Sequence, residues 1–296
     1  MAGRLYFCVD AGATRCRGRL YDEAATVLAN AEGGPANFSY DRPQAMLSIT
    51  KVWEQLSAAI GHDPDDMAGI TLAVGGAGLY VRKQRDAFVE HCRRFGEMAI
   101  MSDGYAALIG AGDGKPSALV SVGTGVAGHR LFADGSSIQR DAWGWIVGDR
   151  GGGCWLGTRA LRHMVETLDG IAPPSALSAA MMESVGGVPG LLEGALSNLN
   201  AQRLAAFAPL VLAQAAANCP VASGILSGAV DYLVRLVDVL EVQDAPLYLT
   251  GGLAAAMKPM LGKRTGRRIE DASGDALYGC LLVAQGKAPG ERTVFG

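Results

Sequence analysis

The 296-residue chain is 49% hydrophobic and carries 26 Lys and Arg against 29 Asp and Glu, a formal net charge of −3. At roughly 100–200 residues per domain, this length predicts two domains, each with enough apolar residues for its own core. The near balance of charge, with no basic run and no Lys/Arg patch interleaved with aromatics, argues against a nucleic-acid partner.

Leu5–Val9 is a short apolar run that ends at Asp10 and a glycine turn, too short for the apolar region of a signal peptide. Cys16–Asp22 and Val27–Ala31 read as the next two strands of a meander. Asp41 caps a helix in which Met46, Ile49, Trp53, Leu56 and Ile60 recur at helical steps and make one buried face. Ile70–Val74 reads as a buried strand closed by Gly75-Gly76. A charged helix covers roughly Tyr80–Phe95, and Met98–Met101 is a further strand ending at Ser102-Asp103. A short helix from Tyr105 to Ala111 and the loop Gly112–Pro116 complete this half, in the order βββαβαβα.

The second half starts in the same way. Ala118–Val122 is an apolar run ending in Gly123-Thr124-Gly125, and Val126–Phe132 is the next strand. With Val9 set on Val120, an offset of 111 residues, Gly12 meets Gly123, Arg19 meets Arg130, Leu20 meets Leu131 and Tyr21 meets Phe132. Both segments are a strand, a tight glycine turn and a strand, the pattern of a duplicated domain. Trp155–Glu241 is helical by period, broken by Pro173-Pro174, Gly186-Gly187 and Pro220. Sheet returns at Leu247–Leu249, and a helix over Asp275–Gln285 follows. Residues 1–116 are therefore expected to form an N-terminal domain that a helix near 275–290 can complete. Residues 117–296 form a larger domain with a helical insertion over 155–241. No uninterrupted apolar span reaches about 20 residues, so no membrane helix is expected.

Four places could carry chemistry. Val9-Asp10-Ala11-Gly12-Ala13-Thr14 puts a carboxylate at the end of a buried strand, where it can hold Mg²⁺ through water; the small residues after it let backbone N–H groups approach a phosphate. An ordinary glycine turn with a capping Asp reads as well. Ser121–Val126 is a second phosphate candidate, its glycines flanking Thr124, or else a plain hairpin turn. It is not a Walker A motif, because no Gly-Lys-Ser/Thr follows. Asp103 is either a helix N-cap or a general base that accepts a substrate hydroxyl proton. Trp143–Gly153 reads as a flexible linker by its glycines, but its two tryptophans and its Ile146-Val147, which look buried, favour a ligand loop in which Asp149 accepts hydrogen bonds. Asp149 could instead cap the helix that starts near Cys154. The loop is expected to lie outside both phosphate turns. Asn37, in Gly34-Pro35-Ala36-Asn37, is a turn residue by default.

With these motifs the chain resembles the N-acetylglucosamine kinase and BadF/BcrA-type ATPase family of the actin–hexokinase–Hsp70 class, and most of all its bacterial glucosamine kinases. The resemblance runs nearly end to end. Asp10–Arg19, with Cys16-Arg17, looks like the family's first phosphate motif, and Gly123-Thr124-Gly125 like its second. Ser102-Asp103-Gly104 looks like its catalytic aspartate motif and Trp143–Trp155 like its sugar loop. Leu249–Gly252 looks like its adenosine motif, and Asp275–Ala284 like its closing helix.

The resemblance implies an α/β fold of two ribonuclease-H-like (actin-like ATPase) domains with a cleft between them, and ATP with Mg²⁺ as cofactors. Asp10, Gly12, Ala13, Thr14, Gly123, Thr124, Gly125, Gly251 and Gly252 would bind ATP, with Asp10 positioning the metal. Asp103 would be the catalytic base. Asn37, Gly76, Asp103, Trp143, Gly144 and Asp149 would bind the sugar. The implied reaction is phosphorylation of glucosamine to glucosamine 6-phosphate, with N-acetylglucosamine as the alternative substrate. A cytoplasmic enzyme with a small sugar substrate, no nucleic acid and no membrane follows, and a homodimer is compatible with it. Three departures bear on this. Val126 stands where many relatives carry Ser, Ala11 and Ala13 where they often have glycines, and Arg150 where an acid or amide is common. The last changes the charge beside the expected sugar.

Two competing readings use the same fold. The activator-ATPase branch holds an iron–sulfur cluster through cysteines at a dimer interface. Here Cys8, Cys16, Cys92, Cys154, Cys219 and Cys280 are scattered, form no C-x-x-C pair and have no histidine at zinc spacing, which reads as a set of reduced, buried thiols. A non-enzymatic sugar sensor would need an attached helix-turn-helix, and none is expected before the first strand. The zinc-bearing repressor/kinase family is disfavoured because its Cys-rich motif is missing.

Overall fold

A computed structural model describes residues 3–195, 197, 199–290 and 292–294. In chain order these form β1 (Leu5–Ala11), β2 (Cys16–Tyr21), β3 (Val27–Gly33), α1 (Arg42–Ala59), β4 (Ile70–Gly76), α2 (Arg82–His91), β5 (Glu97–Met101) and α3 (Asp103–Ala111). Then come β6 (Ser117–Val122), β7 (Val126–Leu131), β8 (Ser137–Asp141), α4 (Gly153–Leu168), α5 (Ala176–Ser184), α6 (Gly187–Gly190), a π-helical turn over Leu191–Ala195, α7 (Ala201–Ala205), α8 (Ala208–Ala216) and α9 (Pro220–Val239). The remaining elements are β9 (Leu247–Thr250), α10 (Ala254–Thr265), β10 (Ile269–Glu270), α11 (Ala276–Ala284) and β11 (Arg292–Val294). The chain divides into two units. One holds the residues up to Ser117, Arg130–Ser137 and the chain from Asp271 onward; the other holds Ala118–His129 and Ile138–Glu270.

The first unit is built on a sheet of order β11-β5-β4-β1-β2-β3. β1 runs parallel to β4 and β4 to β5, while β2 is antiparallel to both β1 and β3. The βββαβαβα order expected of this half is what forms. Asp41 caps α1 by accepting the Gln44 N–H, and Ala45, Ile49, Val52, Trp53 and Leu56 bury the face that the period predicted. That face closes a core with Phe7, Val9, Leu20, Leu72 and Phe95, in which the rings of Phe7, Trp53 and Phe95 meet at 5.3–6.1 Å. Side chains alternate across a strand, so Cys8 and Asp10 take the opposite face from Phe7 and Val9. That opposite face is covered by α11, whose Cys280 thiol reaches the Val9 carbonyl at 3.5 Å.

α11 lies against α3 at backbone distance. A Cβ on Gly279 would stand 1.9 Å from the Ala106 carbonyl oxygen, and one on Gly110 would stand 2.0 Å from that of Asp275. Only residues without a side chain let the two helices meet so closely.

The second unit carries a sheet of order β10-β9-β6-β7-β8. Its helices bury a core that includes Val120, Val122, Leu156, Met164, Leu177, Met181, Leu233, Leu236 and Met257. α9 is long and apolar enough by length and composition to cross a bilayer. Here it is a core helix, because Ala222, Ile225, Ala229, Val230, Leu233, Leu236 and Val237 form one buried stripe. The helical middle breaks at Gly186-Gly187, both with positive φ, and restarts at Pro220 as its sequence suggests. It also breaks at Asn200 and Phe207, which the periodicity did not mark.

The glycines give a paired test of packing. Gly279→Ala should destabilise the protein by about 1–3 kcal/mol, the ordinary cost of overpacking. Gly224→Ala on α9, where a Cβ meets nothing within 4 Å, should stabilise it by about 0.5–1 kcal/mol through helix propensity. Urea midpoints of the two variants should move in opposite directions.

Candidate active site

In the first unit one sheet end gathers most of the expected residues. β1 and β4 end side by side, with Asp10 opposite Gly75 and Ala11 opposite Gly76. The Gly12–Arg15 turn closes with the Gly12 N–H donating to the Arg15 carbonyl at 3.1 Å, which leaves Ala13 and Thr14 exposed. The Asn37 loop is tied to the same place. The Ala36 N–H donates to the Gly12 carbonyl at 2.9 Å, the Phe38 N–H to Ala77 at 3.0 Å, and the Ala77 N–H to Ala11 at 3.0 Å. The Asn37 Oδ1 accepts the Ser39 N–H at 2.9 Å, so the side chain fixes its own turn.

Asp103 enters from β5. Its Cα lies 3.6 Å from the place a Cβ would take on Gly75. The structure corrects the capping expectation: Ser102 caps α3, its Oγ accepting the Tyr105 N–H at 3.1 Å, and Asp103 is the first helical residue. Its carboxyl is thus released from cap duty. Solvent reaches the residue, yet protein atoms crowd its carboxyl, and this desolvation pushes its pKa up. The Gly104 N–H works in the opposite sense, and the negative charge of Asp10 adds to the rise.

Asp10 itself belongs to a four-charge lattice. Opposite it on β2 is Arg17, whose Nε and Nη2 both donate to Asp10 Oδ2, at 3.2 and 2.6 Å. Arg19, two residues on and facing the same way, holds both oxygens of Asp275 at 3.2 and 3.1 Å. Asp275 also stands 3.8 Å from Arg17 and caps α11 through the Tyr278 N–H. Two guanidinium groups and two carboxylates cancel in charge on a face that is largely covered. No local sequence pattern pairs Arg17 and Arg19 with Asp275. Two alternate arginines facing into a strand's covered side were the available signal, but their partner is 256 residues away from Arg19.

In the second unit the Gly123–Gly125 turn closes by a Gly123 N–H to Gly125 carbonyl bond of 3.0 Å. The start of α4 rests on it, with the Gly153 N–H donating to Gly123 at 2.8 Å and the Cys154 N–H to Thr124 at 2.9 Å. A Cβ on Gly152 would fall 2.8 Å from the Thr124 oxygen, so the triple glycine is a backbone contact and not a linker. Asp149 comes to the same turn, its Oδ2 only 2.3 Å from where a Gly125 Cβ would sit. The loop therefore does not lie clear of the second turn, contrary to expectation. Asp149 does not cap α4 either, since Gly152 is the N-cap. Desolvation pushes the Asp149 pKa up, the Val126 and Gly144 N–H groups favour its charged form, and Asp141 adds repulsion.

Gly251 packs on the end of β6, near Val122, and Gly252 faces open space. Trp143 is 79% exposed, and Ile146 and Val147, which read as buried, are 79% and 74% exposed. The reason is a tight turn: the Val147 and Gly148 N–H groups both donate to the Gly144 carbonyl, so the side chains between project outward. Asp141 and Tyr232 were missed altogether, as a hydrogen-bonded pair 91 residues apart leaves no local pattern.

Three comparisons bear on this arrangement. Over 96% of this chain and all of the other, the structure matches a candidate N-acetylglucosamine kinase from Chromobacterium violaceum, with a TM-score of 0.90 and 30% identity. The sequence is 24% identical over 284 residues, 94% of this chain and 95% of the relative, to the glucosamine kinase GspK of Vibrio cholerae. A ROK family glucokinase from Streptomyces griseus, solved with glucose and AMPPNP, shares the fold with a TM-score of 0.55 at 13% identity, over 96% of this chain and 99% of that one. The BadF/BadG/BcrA/BcrD ATPase family model matches residues 8–284, and the chain belongs to that family.

Proposed function

We propose that the protein is an amino-sugar kinase that moves the γ-phosphoryl group of ATP to the 6-hydroxyl of glucosamine, with N-acetylglucosamine as the second substrate candidate. The observation that carries this reading is Asp103: a carboxylate at a strand end, free of capping, with a raised pKa, beside the Asp10–Thr14 turn. In the proposed reaction Asp103 accepts the proton of the attacking hydroxyl. The Thr14 and Thr124 hydroxyls, with the N–H groups of Ala13 and Gly125, receive the phosphates, while the Gly12 and Gly123 N–H groups close the two turns that present them. Gly251 and Gly252 lie against adenosine. Asn37, whose Oδ1 is occupied by Ser39, offers a sugar hydroxyl its NH2 group. Gly76, Trp143, Gly144 and Asp149 complete the sugar contacts.

Asp10 would hold Mg²⁺. Arg17 engages its Oδ2 and leaves the Oδ1 side of the carboxylate for the ion, which would take its other ligands from water and phosphate. Bound there, it would neutralise charge on the transferring phosphoryl group.

The cysteines weigh against the activator-ATPase reading, because all six are buried. Burial drives the Cys16 and Cys92 thiols up to about 12, which is the reverse of a thiolate ready to bind a cluster. A coupled ADP-release screen over glucosamine, N-acetylglucosamine, glucose and mannosamine tests the function. Glucosamine should turn over fastest, and ADP release that ignores every sugar would overturn the kinase reading.

Asp103→Asn should retain sugar and ATP binding by calorimetry and lose about 10²–10⁴-fold in kcat, the usual weight of a general base. The base works only when deprotonated, so kcat should fall as the pH drops through its pKa. Because that pKa is raised, the acid limb should lie above the ordinary aspartate value of about 3.9, and the variant should lack it. Asp149→Ala should raise the sugar KM by roughly one to two decades, on charge-assisted bonds of about 1.5–3 kcal/mol each. Since Asp149 also abuts Gly125, its ATP KM should rise as well; steady-state kinetics on both substrates will show whether it does.

A further inference from the structure

The loop between β8 and α4 is held in an unfavourable backbone conformation. Asp141, Ala142 and Asp149 all have positive φ, at 60°, 63° and 57°, a region that residues with a side chain rarely occupy. Such a conformation persists only where surrounding bonds determine it. Here the bonds converge on one side chain. Asp141 Oδ1 accepts the backbone N–H of Asp149 at 3.0 Å, and Asp141 Oδ2 accepts the Tyr232 hydroxyl at 2.8 Å. The Ala142 N–H donates to the Val126 carbonyl at 3.1 Å. Space is equally constrained: a Cβ on Gly148 would lie 2.6 Å from Asp141 Oδ1.

Tyr232 gives this loop a rigid base. It sits on α9, between buried Ala229, Val230, Leu233 and Leu236, and the Arg235 guanidinium lies 5.3 Å over its ring. Burial, and then the hydrogen bond to Asp141, push its pKa up to about 12, so its hydroxyl remains a donor at neutral pH.

We infer that Tyr232 and Asp141 form a strut from α9 to the loop that fixes the Asp149 backbone, and with it the direction of the Asp149 carboxylate; they are positioning residues for sugar binding. The functional half of this rests on the proposal that Asp149 contacts the sugar. The strut itself rests only on the geometry above. Its effect passes through the backbone: without the Tyr232 hydroxyl, Asp141 Oδ2 loses its partner, and the side chain whose Oδ1 holds the Asp149 N–H is no longer anchored to α9.

Tyr232→Phe keeps the ring and its packing and removes only the donor. Hydrogen exchange of the peptide spanning 141–149 should quicken at the Asp149 amide by about tenfold, the weight of one hydrogen bond to a charged acceptor. The sugar KM should rise by a similar factor, with kcat changing far less and the melting temperature nearly unchanged. Asp141→Asn, which keeps an acceptor for Asp149, should be milder than Asp141→Ala in both readouts. Unchanged exchange in Tyr232→Phe would overturn the strut, whatever the kinetics show. Faster exchange with an unchanged sugar KM would uphold the strut and overturn Asp149 as the sugar ligand. A lowered melting temperature with no change in exchange or KM would make Tyr232 a packing residue only and sink the inference.

Discussion

The contact between α3 and α11 sets the first unit. Two helices normally pack with axes 8–10 Å apart, but here Gly110 and Gly279 bring backbone against backbone. Because α3 follows directly from β5, its position is fixed by the sheet. α11, pressed on α3, is then fixed over β1 and places its N-cap Asp275 within reach of Arg17 and Arg19. Through Arg17 that placement reaches Asp10, and so the orientation of the carboxylate at the end of β1 depends on two missing side chains elsewhere.

The same covered face explains why the charges come as a set. A lone ion there would bear a desolvation cost that one partner seldom offsets. Two arginines and two aspartates, with the bidentate Arg19–Asp275 pair at its centre, satisfy one another and sum to zero. Arg19 is further steadied by the Asn30 side chain and the Tyr21 hydroxyl, at 2.8 and 2.9 Å. Removing any one member would leave an unmatched charge rather than a simple gap.

The first half of the chain was legible because each element is bounded by its own chemistry. β1, β4 and β5 are apolar runs that stop at polar or glycine residues, and α1 has a capping Asp and a regular face. Elements with weak local signals were lost. β8 is a largely exposed edge strand, β10 has two residues, β11 has three, and α10 carries Pro259 in its interior. The positions of Asp10 and Asp103 at strand ends could be read from the apolar runs before them. The lattice around Asp10 and the strut at Asp149 could not, because Asp275 lies 256 residues from Arg19 and Tyr232 lies 91 residues from Asp141. The reading of Ile146 and Val147 as buried failed for a related reason: hydrophobicity says what a residue favours, while a tight turn decides where it points.

The place of α11 in the first unit also has a consequence in time. A ribosome releases β1–β5 and α1–α3 long before the segment from Asp271 onward. At about 5–20 residues per second, the intervening residues take on the order of ten seconds or more to synthesise. During that interval α3 alone covers this face of the nascent sheet, and the part that α11 will cover stands open with Cys8 and two arginines on it. Translation speed and nascent-chain chaperones therefore have a defined window in which to act on this protein, and it closes when α11 docks on β1.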